Sequence, residues 1–187
     1  MGRAGRLPPL LFLTDPDRTP DLEAALERLP AGTAVVFRAF GRPGARALGR
    51  RLRAITRRRG LLLLVGADAA LARAIGADGV HLPERLSGSA GAVRRARPGW
   101  IVTAAAHGAA AIVRARRGGA DAVLVSPVFR TRSASAGRPL GPLRFAALVR
   151  AAGLPVYALG GVNLATARRL AASGAAGLAA VDVLART

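Results

Sequence analysis

Eight short apolar runs, each followed by a longer polar or amphipathic stretch, recur along almost the whole chain. The runs are Leu10–Thr14, Ala34–Arg38, Leu61–Val65, Gly79–Leu82, Trp100–Ala104, Ala122–Ser126, Val156–Leu159 and Gly177–Val181. They are nearly continuous in apolar character rather than alternating, which marks strands covered on both faces of a parallel sheet. The intervening patterns predict helices over Asp21–Leu29, Pro43–Arg59, Asp68–Ile75, Ala90–Arg97, Gly108–Arg117, Pro142–Ala152 and Leu164–Ala172. Parallel strands with helical crossovers leave two main architectures, a closed barrel and an open doubly wound sheet. No GxGxxG loop follows the first run, so the pattern predicts an α/β chain folded as a (β/α)8 TIM barrel.

The punctuation agrees. Pro20 and Asp21 open the first helix, and Gly60, Gly76, Gly118, Gly153 and Gly174 sit where a left-handed C-cap favours glycine. Three helix-to-strand turns are related: Ile75-Gly76-Ala77-Asp78-Gly79, Gly118-Gly119-Ala120-Asp121-Ala122 and Ser173-Gly174-Ala175-Ala176-Gly177. Such recurrence suggests a repeated βα unit. At 187 residues the chain is short for a barrel and is read as one domain over residues 1–187. Thr187 follows the eighth run closely, so the last helix is expected to be missing or cut to a turn over Asp182–Arg186. That leaves an open barrel in play, or an apolar strip that a second copy would cover in a homo-oligomer.

Composition narrows the chemistry. There is no Cys, which excludes thiolate nucleophiles, disulfides and Cys-ligated metals. All 29 basic residues are Arg, which excludes Schiff-base and lysine general-base chemistry. His81 and His107 are the only histidines. No apolar stretch is long enough to span a bilayer, and Leu10–Leu13 is too short for a signal core, so a soluble, cytoplasmic protein is expected. The net charge of +19 raises nucleic acid as a partner. Its densest cluster, Arg42–Arg59, interleaves arginines with Ala45, Leu48, Leu52 and Ile55 at helical spacing. This is the pattern of one amphipathic helix with a solvated Arg face, and no nucleic-acid motif or aromatic platform accompanies it.

In a barrel the chemistry gathers at the C-terminal ends of the strands. There the chain places Asp15, Arg38, Gly66, His81 with Glu84, His107, Ser126 with Thr131, Gly160-Gly161-Asn163 and Asp182. The glycine pair beside Val181-Asp182 fits an anion cradle, where free amides point at a phosphate, or a turn that needs glycine for its backbone alone.

These residues resemble the thiamine phosphate synthase and thiazole tautomerase superfamily, nearly end to end. The resemblance rests on Leu11-Phe12-Leu13-Thr14-Asp15, Val36-Phe37-Arg38, Gly76–Leu82, His107, Ser126-Pro127-Val128-Phe129-Arg130-Thr131, Pro155–Val162 and Gly174–Val181. It implies a barrel that couples a hydroxymethylpyrimidine diphosphate to a thiazole phosphate and releases pyrophosphate with Mg²⁺. On that pattern Arg38 holds the pyrophosphate and joins His107 as a catalytic candidate. Thr131 and Ser133 assist Arg38, and Gly160, Gly161, Val181 and Asp182 bind the thiazole phosphate. The alternatives are a tautomerase that moves a proton through His107, and a non-catalytic phosphate-ligand binder. The chain departs from the synthase pattern at Val36, Phe40, Ala105, Ala134 and Asp182. The family's two metal-binding carboxylate positions carry Ala67 and Leu86, leaving Asp15, Asp68 and Glu84 as the nearest candidates for Mg²⁺.

Overall fold

Strands form within two residues of the apolar runs: β1 (Leu10–Leu13), β2 (Ala34–Phe37), β3 (Leu62–Gly66), β4 (Gly79–Leu82), β5 (Ile101–Ala106), β6 (Ala122–Val125), β7 (Val156–Ala158) and β8 (Gly177–Ala180). The structure, a computed structural model, describes residues 7–131, 133 and 137–181. The strands pair in sequence order, all parallel, and β8 returns to β1 with Leu11 opposite Ala179. The barrel is therefore closed, and the open alternative falls away. Asp182–Arg186, where the last helix is expected to be missing or cut to a turn, lies outside the described residues.

Helices α1 (Leu22–Glu27), α2 (Ala45–Arg58), α3 (Ala69–Ala74), α4 (Ala90–Ala96), α5 (Ala109–Arg117), α6 (Gly141–Ala152) and α7 (Leu164–Ala167) fill the intervals. α7 is shorter than expected because it tightens into a 3-10 turn over Arg168–Leu170. A further 3-10 turn, Glu84–Ser89, occupies a stretch read as loop, where Pro83 precedes it and Ser87, Gly88 and Ser89 disfavour an α-helix.

Alternation along each strand builds two apolar shells. Leu11, Leu13, Val36, Leu64, Ile101, Leu124 and Tyr157 fill the barrel interior. Phe12, Val35, Val65, Val80, Val102 and Val123 pack outward beneath the helices with Leu52, Ile112 and Phe145. Tyr157 closes the floor by donating to the Pro8 carbonyl at 2.6 Å, and burial pushes its hydroxyl up to about 12.

Two of the three related turns share a device, the third having Ala176 where they have Asp. Asp78 accepts the Leu63 amide at 2.8 Å and takes Arg53 of α2 bidentately at 2.7 and 3.0 Å. Asp121 accepts the Val102 amide at 2.8 Å and faces Arg94 of α4 at 3.4 Å. Each turn thus fastens the start of one strand to its neighbour and to a helix. Gly60, Gly76, Gly153 and Gly174 adopt the expected left-handed conformation. Gly118 does not: it remains helical at φ −67, and Gly119 takes φ 85. Gly118 serves close approach instead, since a Cβ there would lie 2.8 Å from the Gly88 Cα.

On α2, Leu52 and Ile55 are buried while Arg51 binds Glu23, Arg58 binds Glu27 and Arg53 binds Asp78. Part of the basic cluster is thus matched by carboxylates on the barrel's own exterior. Among the described residues no helix is long and apolar enough to cross a membrane.

Candidate active site at the barrel mouth

Strand parity carries the inward sequence Leu11, Leu13 on to Asp15, and Ala34, Val36 on to Arg38. Arg38 is held at three points. Its amide donates to Thr14 Oγ1 at 2.9 Å, its Nε to the Thr14 carbonyl at 2.6 Å, and its Nη2 to Asp15 Oδ2 at 3.2 Å. Burial draws the Arg38 guanidinium below the ordinary arginine range, and Asp15 acts in the opposite direction. Its carbon also lies 5.2 Å from the ring centre of Phe40, which is exposed and has φ 50. Thr14, the residue that fixes Arg38, was not among the candidates read from sequence.

His81 points inward from β4, between Val80 and Leu82 of the outer shell, and its Nδ1 meets Thr103 Oγ1 at 2.9 Å. Burial, with the Arg38 charge as a smaller cause, pushes its imidazole down to about 4. The ring is thus neutral at physiological pH and well suited to a packing role.

His107 follows β5 and meets a carboxylate that the sequence did not assign to it. Its Nδ1 lies 2.6 Å from Glu84 Oε2, and its amide donates to the same oxygen at 2.9 Å. Arg114 approaches Glu84 Oε1 at 3.9 Å. Burial raises the Glu84 carboxyl, but the hydrogen bonds from the His107 ring and amide, with the nearby positive charge, outweigh it and hold it below the usual glutamate range.

The glycine pair meets the backbone requirement of its turn. Gly160 and Gly161 have φ 89 and 65, and Cβ atoms there would lie 2.8 Å from the Pro127 Cα and 2.7 Å from the Phe129 Cβ. The loop is pressed against them because Val128 donates to the Leu159 carbonyl and Phe129 to the Gly160 carbonyl, both at 2.9 Å. Among the described residues the amides of Gly161 and Val181 donate to no acceptor. Asn163 has another task, capping α7: it accepts the Thr166 amide at 2.9 Å while the Thr166 hydroxyl accepts the Asn163 amide at 2.8 Å.

Thr131 and Ser133 stand together, their hydroxyl oxygens 3.4 Å apart, with no hydrogen bond to Arg38 among the described residues. Asp182 lies outside the described residues. The three carboxylates expected as nearest candidates for Mg²⁺ each have a partner: Asp15 has Arg38, Asp68 the Leu71 amide that it caps at 2.8 Å, and Glu84 His107. Leu86 packs against the outer apolar shell. Mg²⁺ calls for one or two free carboxylates beside substrate phosphate. Among the described residues no group of three His, Asp or Glu is placed to bind a metal.

The family model described as thiamine monophosphate synthase matches residues 10–184. A putative thiamine-phosphate synthase 2 of Aquifex aeolicus is 35% identical over 136 residues, 73% of this chain and 73% of that protein. A thiamine-phosphate synthase of Chlorobium luteolum is 31% identical over 181 residues, 95% of this chain and 85% of that protein. Among solved structures, a thiamine phosphate pyrophosphorylase from Pyrococcus furiosus superposes with a TM-score of 0.80 at 27% identity, covering 96% of this chain and 88% of that one.

Proposed function

Since this chain belongs to the thiamine monophosphate synthase family, of transferases in thiamine biosynthesis, we propose that its barrel mouth joins a hydroxymethylpyrimidine diphosphate to a thiazole phosphate and releases pyrophosphate. The observation that carries this reading is the pairing, in one mouth, of a braced guanidinium with an open-amide turn. The Gly161 and Val181 amides, which donate to no acceptor among the described residues, lie at the ends of the neighbouring strands β7 and β8, where they suit a phosphate. Arg38 keeps N–H donors beyond those used by Thr14 and Asp15, and these suit a diphosphate.

The coupling breaks the pyrimidine carbon–oxygen bond to diphosphate and forms a bond from that carbon to the thiazole nitrogen. It asks the protein for positioning and for stabilisation of the leaving charge more than for a strong base. Arg38 answers the second need and the glycine turn the first. Each step is assigned to this chain's own residues. The test is pyrophosphate release from the two substrates. Arg38→Ala is expected to lower kcat/KM at least about 100-fold, the loss of one braced charge contact in the transition state. A wild-type protein that binds the thiazole phosphate but releases no pyrophosphate would refute the coupling.

A second reading, thiazole tautomerisation by proton transfer, is favoured by the His107–Glu84 pair. It needs no metal, and a neutral imidazole suits the proton transfer. Incubating the thiazole phosphate precursor alone and following its aromatisation, with His107→Ala beside the wild type, tests it. Ligand binding without either reaction supports a non-catalytic binder.

A further inference from the structure

Both bonds between Glu84 and His107 end on one oxygen. Oε2 takes the His107 amide at 2.9 Å and lies 2.6 Å from the ring Nδ1, while Oε1 faces Arg114 at 3.9 Å. An ionised carboxylate has no proton to give, so a hydrogen bond at Nδ1 requires that Nδ1 carry the proton. A neutral ring in that tautomer leaves Nε2 bare. Among the described residues no hydrogen bond reaches Nε2, and the side chain is half exposed. His81 is the internal contrast. Its Nδ1 meets a hydroxyl, which can donate or accept, so its partner dictates no tautomer, and the ring is buried.

We propose that Glu84 is a positioning residue that locks His107 in the Nδ1–H tautomer and presents Nε2 as the base of the barrel mouth. The topology makes the pair. β4 and β5 are neighbours, so the chain leaving β4 through Pro83 delivers Glu84 beside the end of β5, and the bond to the His107 amide fixes the backbone that carries the ring. Among the described residues the charged groups that face the His107 ring are Glu84 on the 3-10 turn and, behind it, Arg114 on α5, which sits by Oε1 without competing for Oε2. The catalytic consequence, though not the tautomer, rests on the tautomerisation reading. In that reaction Nε2 takes a proton from one carbon of the ligand, Glu84 steadies the resulting imidazolium, and the ring returns a proton to another carbon. The ligand is isomerised with no change in composition.

Nitrogen-15 correlation spectra of the histidine rings, recorded at a pH where both are neutral, read the tautomer directly. The wild type is expected to show Nδ1–H at His107, and Glu84→Ala to lose that preference while the His81 signals, reporting the intact barrel, stay in place. Glu84→Gln retains an acceptor oxygen and is expected to keep part of the preference. With the thiazole substrate, Glu84→Ala is expected to lower kcat about tenfold or more with KM unchanged, and Glu84→Gln to fall between. A wild-type His107 protonated on Nε2, or an unchanged His107 spectrum in Glu84→Ala, overturns the proposal. If the spectra behave as expected but His107→Ala still tautomerises the thiazole normally, the positioning stands and the tautomerisation reading fails.

Discussion

Replacing Gly161 by alanine separates conformational strain from close approach, because Gly32 offers the first without the second. Gly32 has φ 80, and a Cβ added there would meet nothing within 4 Å, so Gly32→Ala costs only the left-handed backbone, about 1 kcal/mol. Gly161 has φ 65, and its Cβ would also overlap the Arg130 carbonyl and lie 2.7 Å from the Phe129 Cβ. That loop cannot retreat freely, since Phe129 is bonded to the Gly160 carbonyl and Val128 to the Leu159 carbonyl, both at 2.9 Å. Overpacking of this kind adds about 1–3 kcal/mol. Urea unfolding should therefore show Gly161→Ala less stable than Gly32→Ala by about 2 kcal/mol. In thermal melts the gap is roughly 4–8 °C for a chain of this size. Titration calorimetry with the thiazole phosphate should show affinity falling at least about tenfold, or about 1.4 kcal/mol, in Gly161→Ala and holding in Gly32→Ala. Equal stability losses would mean that the loop yields and the close approach is unimportant. Unchanged phosphate affinity in a destabilised Gly161→Ala would remove this turn from the anion cradle.

Three other perturbations test the framework around the mouth. Asp78→Ala strands the Arg53 guanidinium and the Leu63 amide, both partly buried, and should cost about 3 kcal/mol in urea unfolding. Asp121→Ala should cost less because Arg94 stands farther off, and equal costs would deny Arg53 its role. His81, with a folded value of about 4 against about 6.5 unfolded, binds its proton more readily in the unfolded chain. Its contribution to stability is therefore full above pH ~6.5 and is lost progressively as the pH falls toward ~4, by about 3 kcal/mol in all. His81→Gln should flatten that part of the stability–pH curve, and an unchanged slope would refute the buried neutral ring. Finally, Mn²⁺ titrated into the protein and followed by electron paramagnetic resonance should show no stoichiometric binding at about millimolar concentration, since Asp15, Asp68 and Glu84 already have partners within the protein. Stoichiometric binding would show that the mouth reorganises around a metal.

How much could be read from the chain depended on the range of each interaction. β6 and β4 lie where Ala122–Ser126 and Gly79–Leu82 predicted them because a strand buried on both faces writes its burial locally, residue by residue. The turns at Asp78 and Asp121 were visible as a repeat, although only the structure shows that each carboxylate ties a strand to a helix arginine. The pairs that give the mouth its chemistry are separated by 24 residues for Thr14 with Arg38 and by 23 for Glu84 with His107. No periodicity or spacing rule spans such distances, yet strand order does: each pair joins the ends of adjacent strands, β1 with β2 and β4 with β5. Once the barrel is closed, the carboxylates gain partners that change their meaning. Asp15 neutralises part of Arg38, and Glu84 directs a histidine proton, whereas the positions where the family places metal carboxylates hold Ala67 and Leu86. Asp15 and Glu84 are thus turned toward a protein cation and a histidine proton, an arrangement suited to anion binding and proton transfer.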